Sequence, residues 1–471
     1  MNFIGRKTEL AKLKTFFKDE LSHCALIYGR RRIGKSELIK QAIKEFGNNG
    51  LYYECKQTSE KNNVESLSEI LSYQLGFPKL AFNSLEELVD FLFKYSKDKK
   101  IILVFDEYSY LQDTIKGLDS ILQTLIDKYS EESGLKIIIC GSFIDSMKSL
   151  LSNQNPLFGR VDLVLNIKQM DYYESSLFYK TFSNEDKIRL YSVFGGVPYY
   201  NRLINPNKSV KENIIELIAS KGSRLEMAIS MNLKSEISKL INANEVFEVL
   251  AKGFTKFSDI LSQSHVSSSP TLADILEKLI KMEIVKKEAP INDEQNKKKA
   301  GYYINDNLSL FYYKYIFNHL SQLNIMSENH FYEKYINDDF EKKYVPKIFE
   351  KVCREYLIRQ NLKGKLEEPF EKIGKYYYDN PVEKTNGEFD IVTWSQKGYV
   401  FYEAKFTNEP ISSKVIKKEI EQVNNSGLSA IKYGFLSKSG FKTIRNNSII
   451  KITLDDLFDS KENHPPLSNT K

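Results

Sequence analysis

No stretch of 18 apolar residues occurs in this chain; the longest apolar runs, such as Ile101 to Phe105, have the length of single buried strands. A membrane-spanning helix is therefore not expected. The first residues, Met1-Asn2-Phe3-Ile4-Gly5-Arg6, lack the basic-then-apolar layout of a secretory signal. Cysteine is scarce: Cys24, Cys55, Cys140 and Cys353 are scattered, with neither metal-ligand spacing nor a disulfide framework. Together these absences predict a cytoplasmic protein. An excess of one charge is also missing, since 68 Lys and Arg face 62 Asp and Glu, a net +6. That balance permits contact with nucleic acid without arguing for it.

What is present is enough for real cores. The 471 residues suffice for about three domains of roughly 150 residues each. Hydrophobic residues make up 41% and charged residues 28%, as in soluble globular proteins. The 29 tyrosines and 29 phenylalanines read first as packing rather than as base-stacking platforms.

The most informative segment starts at a short apolar strand, Ala25 to Tyr28. It is followed by Gly29-Arg30-Arg31-Arg32-Ile33-Gly34-Lys35-Ser36 and a helical run from Glu37. This is G-x-x-x-x-G-K-S between a strand and a helix, the phosphate-cradling loop of nucleoside triphosphatases. Its glycines let backbone amides face phosphates at a helix N-terminus. Lys35 would reach the β- and γ-phosphates of ATP, and the Ser36 hydroxyl would ligate Mg²⁺. The continuous apolar strand Ile101 to Phe105 ends in Asp106-Glu107. Ligands sit at the carboxyl ends of such buried parallel strands, so Asp106 is expected to hold magnesium and Glu107 to polarise the attacking water. A third strand, Lys136 to Cys140, ends in Gly141-Ser142, where Ser142 could sense the γ-phosphate. Arg160, in Asn155-Pro156-Leu157-Phe158-Gly159-Arg160, could reach a nucleotide in its own chain or in a neighbouring copy, or could be a surface charge. Action in a neighbour would require a homo-oligomer.

The opening Phe3-Ile4-Gly5-Arg6-Lys7-Thr8-Glu9-Leu10 resembles the signature that begins the signal-transducing branch of AAA+-related ATPases. The arginine-rich loop, Gly141-Ser142, Gly159-Arg160 and Gly195-Gly196-Val197-Pro198 are similar to the archaeal-type ATPases within that branch. Lys7 stands where glutamate is usual. The resemblance covers residues 1 to about 230 and implies a parallel five-stranded sheet between helices, then a helical lid with Gly196 and Pro198 near the nucleotide. The expected boundaries are an ATPase core over 1–165 and a lid over 166–231.

Residues 232–306 read as short helices followed by a hairpin, a winged helix-turn-helix. Ser267-Ser268-Ser269-Pro270-Thr271 supplies capping residues ahead of a helix from Leu272 to Met282. Two strands follow, with Lys297-Lys298-Lys299 in the loop between them. DNA contact through these lysines and a purely structural module are both open, because Asp274 and Glu277 interrupt any basic stripe on the presumed recognition helix. An aromatic helical connector is expected over 307–345.

Residues 346–458 form the last expected domain, with 459–471 a disordered tail rich in Pro, Asn, Ser and Lys. An amphipathic helix carries Glu350, a strand carries Asp390, and a hairpin partner carries Glu403-Ala404-Lys405. Strand alternation points Glu403 and Lys405 to one face. Asp390 and Glu403 would gather around magnesium, Lys405 would orient or deprotonate water, and Glu350 would add a carboxylate. An exposed hairpin with a charged face has the same pattern. Glu388-x-Asp390, Glu403-Ala404-Lys405 and Gly434-Phe435-Leu436-Ser437 resemble the PD-(D/E)xK restriction-endonuclease-like superfamily, specifically the domain that accompanies archaeal-type ATPases. The usual proline before the first aspartate is absent, and alanine replaces the commoner cysteine at position 404. The resemblance implies cleavage of DNA or RNA; binding of DNA or a protein partner without cutting is the alternative.

Overall fold

Five short strands carry the first motif: β1 (Cys24–Tyr28), β2 (Gly50–Glu54), β3 (Ile101–Asp106), β4 (Leu135–Gly141) and β5 (Leu163–Asn166). They lie in the order β2-β3-β4-β1-β5 with every neighbouring pair parallel. This computed structural model describes residues 3–20, 23–47, 50–227, 229, 242–296, 298–380, 385–443 and 449–459. Lys297, the junction expected at 231–232 and the tail from 460 onward lie outside the described residues.

β1, β3 and β4 are buried at every position, which is why each reads as an unbroken apolar run. Alternate residues on one face (Leu26, Leu103, Phe105, Ile137 and Ile139) pack with α3 (Glu60–Leu75), α4 (Leu85–Tyr95) and α6 (Leu118–Tyr129). The intervening residues Ala25, Ile27, Ile102, Val104 and Ile138 are equally buried on the other face. Two more helices, α1 (Lys7–Lys18) and α2 (Lys35–Phe46), pack on each other through Phe17 and Phe46, whose rings lie 5.1 Å apart. Short α5 (Ser109–Thr114) and α7 (Ile144–Ser149) follow the ends of β3 and β4.

The chain divides into two compact units: Met1–Gln169 with Val197–Tyr199, and Met170–Gly196 with Tyr200–Lys471. The second unit is an α/β assembly of its own. Short helix Tyr172–Ser176 comes first, followed by helices Asn184–Phe194 and Val210–Leu217. Ser209 and Glu212 start the latter with reciprocal capping bonds. At the end of the former, Gly196 meets Met170, whose carbonyl oxygen stands 1.9 Å from where a Cβ would be, so only glycine fits there.

Helices Ala243–Ala251, Phe257–Gln263 and Ser269–Lys281 then lead into the antiparallel pair β6 (Val285–Glu288) and β7 (Gly301–Ile304). The aromatic stretch from Asn307 to Tyr344 is helical, with wide turns over Tyr312–Ile316, Glu333–Asn337 and Phe340–Tyr344. Phe311, Tyr315, Phe340 and Tyr344 pack ring against ring inside it, so these aromatics are core.

Helix Val345–Leu362 is followed by a second sheet, β8 (Lys372–Asn380), β9 (Thr385–Ser395), β10 (Gly398–Lys405), β11 (Ala430–Ser437) and β12 (Ile449–Thr453). Its order is β12-β11-β10-β9-β8. The β8-β9-β10 pairs are antiparallel and the β10-β11-β12 pairs parallel, with helix Ser413–Asn425 crossing from β10 to β11. The β6–β7 loop covers the outer edge of β8: the Ile291 amide donates to the Lys375 carbonyl at 2.8 Å, and Asn292 exchanges two hydrogen bonds with the Tyr377 backbone. An unpaired edge strand is thereby shielded.

Candidate functional site

The first site grows from the turn between β1 and α2. Gly29 passes so close to β5 that a Cβ would stand 2.4 Å from the Ile167 carbonyl oxygen, and Gly34 has φ +93°. Arg32 also adopts a left-handed φ of 65°. These conformations wrap the loop so that α2 starts at Lys35. Arg6, buried and itself at φ 59°, donates to the Ile33 carbonyl at 3.3 Å and to the Lys168 carbonyl, which ties the N-terminal segment to the loop. Arg31 stands over the Phe143 ring at 5.5 Å and Arg32 over the Tyr199 ring at 4.7 Å.

Lys35 is buried, and its ammonium donates to three neutral oxygens: Gly29 carbonyl at 2.8 Å, Arg30 carbonyl at 3.1 Å and Ser142 Oγ at 2.9 Å. Burial pushes its pKa down, against the attraction of Glu107 and Asp106. Ser36 Oγ donates to Asp106 Oδ2 at 2.7 Å, and the Tyr52 hydroxyl donates to the same oxygen. Burial would raise the Asp106 carboxyl, but these donors outweigh it and hold it below the usual range. Glu107, at a left-handed φ of 54°, accepts from Ser142 Oγ at 2.8 Å and from the Ser142 amide at 3.4 Å. Lys35, Ser36, Asp106, Glu107 and Ser142 therefore form one connected network at the carboxyl ends of β1, β3 and β4. Glu37 lies exposed in the first turn of α2. Arg160 takes no part: it forks onto Asp127 of α6 at 3.2 and 3.0 Å and donates to the Phe158 carbonyl.

The second site lies on β9, β10 and helix Val345–Leu362. The antiparallel register pairs Ile391 with Tyr402, which makes Asp390 and Glu403 the next residues along their strands. Glu403 and Lys405 share a face and pair at 2.5 Å, and Lys405 also reaches Glu419 at 3.3 Å. Lys347 bridges Glu350 at 2.7 Å and Asp390 at 3.0 Å. Lys375 bridges Glu388 at 2.6 Å and Asp390 at 3.1 Å. Burial, and then repulsion from neighbouring carboxylates, pushes the Glu350 and Glu403 carboxyls up. Glu350 feels Asp390, and Glu403 feels Glu419 and Glu350. Asp390 is pulled the other way, since Lys347 and Lys375 outweigh its burial. Among the described residues, no three His, Cys, Asp or Glu are gathered into a group that could hold a metal as they stand.

Reading the sequence missed Tyr52, Arg6 and Tyr199 around the first site and Lys347 and Lys375 at the second. Only Lys347 left a local signal, one helical turn before Glu350. The others join their sites through strand order and packing.

Residues 3–203 match a family described as an ATPase domain predominantly from Archaea, and residues 312–423 match a family of archaeal and bacterial proteins of unknown function. An uncharacterized protein of Methanocaldococcus jannaschii is 27% identical over 420 residues, 88% of this chain and 90% of its own length. An uncharacterized ATP-binding protein of the same organism is 24% identical over 293 residues, 51% of this chain and 76% of its own. The Walker-type ATPase of Pyrococcus abyssi has a similar fold at 19% identity, with a TM-score of 0.51 over 66% of this chain and 96% of that one. Among the described residues, no helix is long and apolar enough to cross a membrane. The chain thus carries an ATP-binding P-loop ATPase domain over residues 3–203, similar to the predominantly archaeal ATPase family, and a segment over 312–423 similar to the archaeal and bacterial family of unknown function.

Proposed function

We propose that this ATPase hydrolyses ATP with magnesium and that its C-terminal sheet is a magnesium-dependent nuclease whose cutting of DNA or RNA is governed by the nucleotide. At the first site the amides of residues 29–36 cradle the phosphates, and Lys35 exchanges its neutral acceptors for phosphate oxygens. The Ser36 hydroxyl and Asp106 carboxylate, 2.7 Å apart, are hard oxygen donors of the kind magnesium takes. Bound there, magnesium would neutralise charge building on the phosphates. Glu107 is the group placed to accept a proton from water, and Ser142 holds it until the γ-phosphate competes for Ser142 and Lys35.

The observation that carries the nuclease reading is that Asp390 and Glu403 stand opposite one another just beyond the Ile391–Tyr402 pair, with Lys405 on Glu403 and Lys347 spanning Glu350 and Asp390. The donors are carboxylate oxygens, which suit magnesium, and an ammonium already occupies the cation position between Glu350 and Asp390. Asp390 and Glu403 would hold the metal once their lysines give way, with Glu350 as an added carboxylate, and the metal would supply charge neutralisation and a more acidic water. Lys405, an ammonium held by Glu403 and Glu419, would orient that water and stabilise the hydroxide left when it loses a proton. The ion pairs themselves favour the second reading, a nucleotide-dependent switch that binds nucleic acid or protein without cutting.

The three helices followed by β6 and β7 over 243–304 support the winged-helix reading. Its loop lies along β8, and Lys299 is engaged with Asp293 at 3.0 Å and with the Tyr377 ring, which favours a structural role over DNA contact. Arg160, forked onto Asp127, gives a homo-oligomer no support.

The test assays plasmid, single-stranded DNA and RNA with Mg²⁺ or Mn²⁺, with and without ATP, on wild type, Asp390→Ala and Lys35→Ala. Metal-dependent cutting that Asp390→Ala abolishes supports the nuclease, and a changed ATP response in Lys35→Ala supports the coupling. ATP hydrolysis with no cutting on any substrate leaves the non-cutting switch.

A further inference from the structure

The acidic end of β3 has a partner that the phosphate loop does not supply. Tyr52 lies in β2, where the parallel register pairs it with Val104 and pairs Glu54 with Asp106. Residues paired this way share a face of the sheet, so Tyr52 and Asp106 point to the same side. Tyr53 points to the other, where its hydroxyl meets Asn63 at 2.6 Å in the core. Asp106 Oδ1 accepts from the Glu107 amide at 3.0 Å, while Oδ2 accepts from Ser36 at 2.7 Å and from the Tyr52 hydroxyl. Lys40, four residues after Ser36 and so on the same face of α2, places its ammonium 4.7 Å from the centre of the Tyr52 ring. A cation over a phenol strengthens the hydroxyl as a donor and holds the ring in place.

We propose that Tyr52 is a positioning residue for the metal at the ATP site: its hydroxyl holds the Asp106 carboxylate toward Ser36, and Lys40 holds the ring that does so. This rests on the magnesium reading of that site. Ser36 cannot do the work alone, because its oxygen must turn to the metal when nucleotide binds, which leaves Tyr52, backed by the weaker Cys140 thiol, to keep Asp106 oriented. The hydroxyl is one bond removed from the chemistry, so its loss should weaken metal binding and spare nucleotide contacts made by the loop backbone and Lys35.

Tyr52→Phe keeps the ring and its packing and removes only the donor. Two quantities are measured on the full chain: Mn²⁺ affinity of the ADP complex by electron paramagnetic resonance, and affinity for a fluorescent ADP analogue in chelator. A hydrogen bond to a charged group predicts that Mn²⁺ affinity falls about ten-fold. The Mg²⁺ concentration for half-maximal hydrolysis should rise by a similar factor, kcat at saturating Mg²⁺ should change less than about three-fold, and metal-free ADP affinity should stay level. Lys40→Met should shift Mn²⁺ affinity the same way by about two-fold. Unchanged Mn²⁺ affinity in Tyr52→Phe overturns the proposal, and so does a parallel loss of metal-free ADP binding, which marks a merely structural ring. If wild type itself hydrolyses ATP in chelator, the magnesium reading fails instead, and the two failures are told apart.

Discussion

The two sites hold their charges in opposite ways. At the phosphate loop, the Lys35 ammonium rests on two carbonyls and a hydroxyl, and Asp106 on two hydroxyls and an amide. Neutral partners leave the charges of that site unspent, so a polyanion with its cation can enter without first breaking ion pairs. At the C-terminal site each acid already faces a lysine: Asp390 with Lys347 and Lys375, Glu403 with Lys405. A metal arriving there must exchange with an ammonium. The comparison teaches that similar residue types, a lysine beside acids, make a receptive site or a self-neutralised one according to what each charge touches.

The largest effect that could break this comparison is at Lys35. If its neutral partners mean that it awaits phosphate, Lys35→Ala should lower ATP hydrolysis by ~100-fold or more, with nucleotide affinity falling as well, in steady-state and binding assays. If Glu107 accepts a proton from water, Glu107→Gln should cost a comparable ~100-fold in kcat while ADP affinity stays near wild type, because Glu107 bonds Ser142 and takes no part in the phosphate loop.

At the second site, Lys347→Met sharpens the contrast. Removing the bridging ammonium should tighten Mn²⁺ binding at the carboxylates by about ten-fold, read by calorimetry with the ATP site saturated. The metal-free variant should melt only slightly lower, since Lys347 is more than half exposed and such pairs contribute about 1 kcal/mol or less. Equal Mn²⁺ affinity would remove the exchange picture.

The smallest effect concerns pH. Glu355, on the helix that carries Glu350, accepts from the Tyr172 amide and from the Tyr191 hydroxyl, which is shared between its two carboxyl oxygens. Burial first, and then Asp171, pushes its carboxyl above the usual value, against Lys351 and these donors. The folded state therefore holds this proton more tightly than the unfolded chain. The resulting stability is present below the unfolded pKa, near 4.5, and is lost as pH rises through the folded value. Glu355→Gln, which keeps an acceptor and loses the charge, should gain on wild type as pH climbs, by roughly 2–4 °C in Tm at pH 8. Parallel melting curves from pH 4 to 8 would contradict the assignment.

The sequence disclosed what is local in the chain. Gly29 to Ser36 needs only its own strand and helix, and the buried runs ending at Asp106 and Gly141 announce strands covered on both faces. The shared face of Glu403 and Lys405 followed from alternation alone. Tyr52 was not legible, because its meeting with Asp106 depends on β2 lying beside β3, which is set by tertiary packing. Lys375 reaches Asp390 for the same kind of reason, across β8 and β9. For the β6–β7 loop the sequence left DNA contact and a structural role both open, and its bonds along the edge of β8 depend on a strand far away in the chain.

The most direct test of the account is plasmid cleavage in Mg²⁺ and ATP by wild type and Asp390→Ala at equal ATPase activity. The account predicts cutting by wild type, loss of cutting in the variant and unchanged ATP turnover. Cutting that survives in Asp390→Ala, or a wild type that turns over ATP and cuts nothing, would contradict it.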